Sequence, residues 1–255
     1  MNLDLASVLL EWAAGGLLGL WITSRRRVVG VGYGWLLRST FAVIALGGVA
    51  AGMASDDRGW GATLRDAAGI AMTGLALGAL VVSVVRRRDL ARIPPGLDLL
   101  SAAAGFVALA GAAEVLGGPY ALSLARLVVG AVFLGLVTDA MLLGHWYLVQ
   151  PGLGREPLRE MVRLAAIAWP AQVVVLLIPT GMASVLSGSI DDGYGGLLGW
   201  TWVVSSLSTI VLLGVTWLAL KERMYSAVMA ATGLLYLAIL TAFGTDVLAR
   251  AVLAG

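Results

Sequence analysis

Within the otherwise apolar stretch TDAMLLGHWYL, Asp139 precedes His145, the only histidine among 255 residues, by six positions. A carboxyl group and an imidazole are the side chains that move protons near neutral pH. Six residues separate them by about 9 Å along a helix and place them on different faces, so they are not expected to act as a contacting pair.

Asp139 is the stronger candidate. Counting inward from Arg126 puts it about 20 Å along its helix, near mid-depth, where no basic residue of another segment is expected. A carboxyl there must be protonated, hydrogen-bonded to Ser, Thr, Tyr or Trp, or face water, because an isolated charge in hydrocarbon costs several kcal/mol. Thr201, Ser205, Ser208, Thr209 and Thr216 fall near one face of a later segment and are expected to line a polar cavity with it.

His145 is followed by Trp146 and Tyr147, residues that collect at the headgroup level of a membrane. That context fits an interfacial belt position. The chemical readings are a proton inlet toward Asp139, a hydrogen bond to a quinone carbonyl, or an axial haem ligand. Bis-histidine ligation is impossible with one histidine, and a His/Met pair would need Met72, Met161 or Met182. No cofactor is strongly implied.

The remaining ionisable residues of the apolar segments read as structural. Glu114 and Arg126 flank the turn LGGPY and are expected to form an ion pair clamping two neighbouring helices. Asp246 and Arg250 are four apart, on one helical face, and suit an intrahelical pair. Glu11 and Arg38 are expected to lie shallow, the arginine snorkelling to the surface.

These residues need a frame. The chain is 60% hydrophobic and 13% charged, against about half and a quarter in soluble domains. It is an all-α integral membrane protein by composition, a single polytopic domain over 1–255 with no part suited to nucleic acid. Eight stretches reach the ~20 residues needed to cross a bilayer: approximately 4–24, 35–54, 66–85, 96–116, 120–149, 158–187, 195–219 and 225–250. Each must be helical, because backbone amides in lipid find partners only within their own segment.

Arginines mark the orientation. Arg25, Arg26 and Arg27 follow the first span, Arg86, Arg87, Arg88 and Arg92 the third, Arg155, Arg159 and Arg163 the fifth, and Lys221 and Arg223 the seventh. The positive-inside rule makes these turns cytoplasmic and places both termini outside. The clusters at 25–27 and 86–88 are expected to meet anionic headgroups, as is the stripe of Arg155, Arg159 and Arg163. The positive cluster follows the first apolar run instead of preceding it, which argues against a cleaved secretory signal. Ala, Gly and Arg usage with a single lysine suits the plasma membrane of a GC-rich bacterium.

Close packing is foreshadowed by Gly15 and Gly19, Gly48 and Gly52, and Gly74 and Gly78, each pair four residues apart, the spacing that lets membrane helices approach. Pro170 and Pro179 are expected to kink the sixth span, with Gln172 and Thr180 satisfying freed backbone groups. Broken helices at mid-depth are where many secondary transporters bind substrate.

Several chemistries are excluded or unsupported. Cysteine is absent, which removes disulfides, thiolate metal sites and iron–sulfur ligation. No phosphate loop, HExxH or Gly-x-Ser-x-Gly arrangement occurs, no metal site or catalytic residue is assigned, and an intramembrane enzyme lacks a nucleophile. Two functions remain: a small proton-coupled or solute transporter using Asp139, or an integral subunit of a larger membrane complex, such as a respiratory one, that contacts a quinone, haem or partner subunit near His145.

Overall fold

The computed structural model describes residues 4–86, 96–177 and 181–253. Arg87, Arg88, Arg92, Pro179 and Thr180 lie outside the described residues. The described chain is helical: α1 (Leu5–Ser24), α2 (Val31–Ala54), α3 (Trp60–Val85), α4 (Gly96–Val115), α5 (Tyr120–Trp146), α6 (Glu156–Leu177), α7 (Met182–Leu186), α8 (Leu197–Ala219) and α9 (Tyr225–Val252). All but the five-residue α7 are long and apolar enough to cross a membrane. The expected spans match these helices except the sixth, expected over 158–187, which is described as helix over Glu156–Leu177 and again over Met182–Leu186, with the non-helical Gly181 before the second piece.

The chain divides into two compact units, whose boundary falls within α5 after Asp139. In the unit of residues 4–139, α1 packs against α2, α4 and α5, while α3 packs against α2 and α4. Asp4 starts α1 by accepting from the backbone amides of Ala6 and Ser7 at 3.2 and 2.9 Å, the usual N-terminal cap.

The tightest crossing is between α1 and α5. A methyl group on Gly15 would lie 1.7 Å from the Ala131 carbonyl oxygen, and one on Gly135 would lie 2.0 Å from the Gly15 carbonyl carbon. Backbone thus meets backbone, and neither helix can accept a side chain there. Gly135→Ala is expected to lower stability by about 1–3 kcal/mol, the usual cost of overpacking, in thermal unfolding of the detergent-solubilised protein. Gly74→Ala should change little, because a methyl group at Gly74 meets nothing within 4 Å. Only the first two of the three glycine pairs are therefore packing surfaces; Gly74 and Gly78 adjoin open space.

The unit from residue 140 onward is built on the antiparallel pair α8 and α9, joined at mid-length by a 2.7 Å hydrogen bond between the hydroxyls of Thr209 and Thr241. Helix α6 lies against α8, with Trp169 Nε1 donating to the Ser206 carbonyl at 3.0 Å. Pro170 sits inside α6, which remains one helix to Leu177. Leu176, Met182, Val185, Trp202, Ala249 and Val252 form a small core at one end.

Before α8 the chain wraps a carboxylate. Gly193, Gly195 and Gly196 adopt φ of 72°, 64° and 86°, left-handed conformations that glycine reaches without strain. Asp192 consequently accepts from the amides of Tyr194, Gly196, Leu198 and Gly199 at 2.8–3.3 Å. The backbone N–H of Gly196, followed by the other amides, holds its pKa below the ordinary 3.8. A depressed folded-state pKa gives stabilisation that is complete above the unfolded value and is lost as pH falls through the folded one. Amide exchange at Leu198 and Gly199, corrected for its intrinsic pH dependence, should therefore stay constant from pH 8 to 5 and rise several-fold only below about pH 4. Asp192→Ala should show the fast exchange at every pH.

Candidate functional site

Asp139 is fully buried. Its Oδ1 accepts from the Tyr33 hydroxyl at 2.7 Å and its Oδ2 lies 2.5 Å from Thr23 Oγ1. The Tyr33 hydroxyl is also 3.2 Å from the Asp139 carbonyl oxygen. Three helices supply these groups, α1, α2 and α5. Gly19 permits the approach: a methyl group on it would fall 2.9 Å from Asp139 Cβ. One residue earlier, Thr138 Oγ1 accepts from Trp12 Nε1 at 2.9 Å, a second tie between α1 and α5.

The partners differ from those expected. The hydroxyls of α8, expected to line a polar cavity with Asp139, belong to the other unit, and their described hydrogen bonds are made within it. Thr201 is exposed and donates to the Leu197 carbonyl at 2.8 Å. Thr209 donates to the Ser205 carbonyl and bonds Thr241. Thr216 donates to Leu212 at 2.7 Å. Ser205 Oγ faces Gly244 of α9, and Ser208 is half-buried. Hydroxyls on a membrane helix readily return a bond to the preceding turn.

Depth differs as well. Thr23 lies in the last turn of α1 and Tyr33 in the first turn of α2, so Asp139 sits one turn inside the end that carries Arg25, Arg26 and Arg27, not at mid-depth. Helix α5 has 27 residues, about 40 Å, longer than the ~30 Å of hydrocarbon.

The Thr23 hydroxyl has one hydrogen and two acceptors, Asp139 Oδ2 at 2.5 Å and the Gly19 carbonyl oxygen at 3.0 Å. If the carboxyl is ionised, Thr23 donates to it. If the carboxyl is protonated, Thr23 turns its hydrogen to Gly19 and accepts from Oδ2–H. Tyr33 donates to Oδ1 in both states. Every group is satisfied with or without the proton, and among the described residues no cation pairs with Asp139 to fix one state.

Elsewhere the charged groups are clamped. Arg38 does not snorkel: its Nε and Nη2 donate to both carboxylate oxygens of Asp98 at 2.7 and 2.6 Å, with both side chains buried. Arg65 binds Asp66, Asp57 and the Gly52 carbonyl at 2.8–2.9 Å. Asp246 and Arg250 form the expected pair at 2.6 Å, wholly buried. The Glu114 carboxylate, expected to pair with Arg126, lies against Gly61 of α3, where the missing side chain leaves it room. Sequence reasoning missed Asp98 and Arg65, although Arg38 and Asp98 each lie near the basic-turn end of their helices, which was the available signal.

His145 is exposed in the last turn of α5, its Nδ1 3.4 Å from the Tyr236 hydroxyl and its ring edge-on to that of Tyr236. Gln172 is buried, and its Oε1 meets no donor among the described residues. Against family models, curated proteins and solved structures, the chain finds no match.

Proposed function

We propose that this chain is a small proton-coupled solute transporter of a bacterial plasma membrane, with Asp139 as its proton-binding group. The observation that carries the reading is the Thr23 hydroxyl, shared between Asp139 and the Gly19 carbonyl. A carboxyl that serves only as a structural tie needs one hydrogen-bond pattern. This one has two patterns with the same heavy-atom positions, which is what reversible protonation requires. With the arginine-rich turns on the cytoplasmic side and both termini outside, Asp139 lies just below the cytoplasmic surface and exchanges its proton from that side.

The proton site is tested by pH-difference infrared spectroscopy on the purified protein. A protonated-carboxyl band should titrate, shift in Tyr33→Phe and vanish in Asp139→Asn; a spectrum unchanged by Asp139→Asn rejects the assignment. Coupling is tested in vesicles with a trapped pH dye, challenged with a panel of sugars, amino acids and nucleosides.

A second reading rests on the exposed His145 and Tyr236 pair, two polar rings at a helix end that suit a quinone carbonyl or a neighbouring subunit in a larger complex. Gentle purification separates the two readings. A complex subunit brings stoichiometric partners or a chromophore, whereas a transporter comes alone and colourless.

A further inference from the structure

The three arginines spaced four apart at the start of α6 do not share one role. Arg155 donates to the carbonyls of Arg223 and Met224 at 2.7 and 2.9 Å, closing the turn between α8 and α9. Arg159 donates to the Leu220 carbonyl at 2.7 Å. Arg163 is exposed and has no hydrogen bond or ion pair to a described residue. It stands instead at a groove of about 500 Å³ between α6 and α8, lined by Ile167, Ile210, Leu213, Gly214 and Trp217.

The groove has a direction. Trp217 lies two residues from the end of α8, next to the turn with Lys221 and Arg223, whereas Ile167 and Ile210 lie deeper by one and two turns. A cationic, aromatic mouth at the level of the basic turns thus leads to an apolar interior. Its volume is that of a site for a lipid-sized apolar group. A methyl group on Gly214 would meet nothing within 4 Å, so the space is not filled by neighbouring side chains.

We infer that this groove binds one phosphate-headed anionic lipid, phosphatidylglycerol in the simplest case, with an acyl chain between α6 and α8 and its phosphate on Arg163. The charge selects the headgroup: Arg163 is the member of the stripe not used by the protein, and a guanidinium binds phosphate in a two-pronged manner that ammonium groups do not match. The apolar walls require the chain, so a free anion lacks most of the contact.

The test uses the full-length protein in mild detergent, titrated with phosphatidylglycerol carrying brominated acyl chains, which quench nearby tryptophan. Quenching should saturate, should lose its saturable component in Trp217→Phe, and should reach its midpoint at roughly tenfold lower lipid than with brominated phosphatidylcholine. Arg163→Gln should raise the midpoint about tenfold and Arg163→Lys should raise it less. Gly214→Leu, which fills open space on a helix and is expected to fold, should abolish saturable quenching. Equal quenching by the two lipids, no effect of Arg163→Gln, or displacement of the lipid by inorganic phosphate at millimolar concentration would each overturn the assignment.

Discussion

Asp139→Asn is expected to reduce proton-linked flux in reconstituted vesicles to below about one hundredth of the parent rate, the lower range of what a positioned acid–base group contributes. The protein should remain folded. The asparagine Oδ1 can accept from Tyr33, and its amide can donate to Thr23 Oγ1, whose hydrogen then goes to Gly19. This is the hydrogen-bond pattern of the protonated aspartic acid, so stability should change by no more than about 1 kcal/mol, the net worth of one hydrogen bond. What is lost is the ability to release a proton. Unchanged flux with any solute that drives proton uptake in the parent protein would remove Asp139 from the mechanism, whatever the infrared titration shows.

The largest loss of stability is expected at the Arg38 and Asp98 pair. Its two hydrogen bonds of 2.7 and 2.6 Å join α2 to α4 with both side chains out of solvent. Removing one partner leaves a buried charge with nothing to balance it, a loss of about 3–5 kcal/mol. Asp98→Ala should therefore unfold at markedly lower temperature or denaturant concentration in detergent. Removing both charges with apolar residues of similar volume, Arg38→Met with Asp98→Leu, should recover most of that loss. If the single variant were as stable as the parent, the pair would have to be hydrated, contrary to its burial.

Most of the architecture was legible in the residues, because the bilayer leaves a chain few options. Eight apolar runs became eight long helices, and seven of them kept their expected limits to within about six residues. The sixth run is described in two helical pieces, Glu156–Leu177 and Met182–Leu186, with Gly181 outside the helical conformation. The prominence of Asp139 was also legible, since a lone carboxyl in such a run is conspicuous. Its partners were not. Thr23 and Tyr33 lie 116 and 106 positions away, and any of several hydroxyl-bearing segments satisfied the same composition argument. Glu114 adds a contact of the same kind: nearness across a turn suggested Arg126, and its carboxylate also lies over Gly61 on another helix, which no spacing argument points to. Sequence spacing reports what can meet along one helix, and says little about which helices become neighbours.

The backbone crossing at Gly15 and Gly135 bears on how the protein is made. A ribosome adding about 5–20 residues per second needs on the order of 6–24 s to travel from the first of these glycines to the second. Throughout that interval the first helix is already synthesised, but the surface it will press against has not yet emerged. Its glycine-lined face, with Thr23 at one end, must be sheltered by the insertion machinery or by the second helix until the fifth arrives, and a pause introduced in that stretch of the message should expose the nascent chain to membrane proteases.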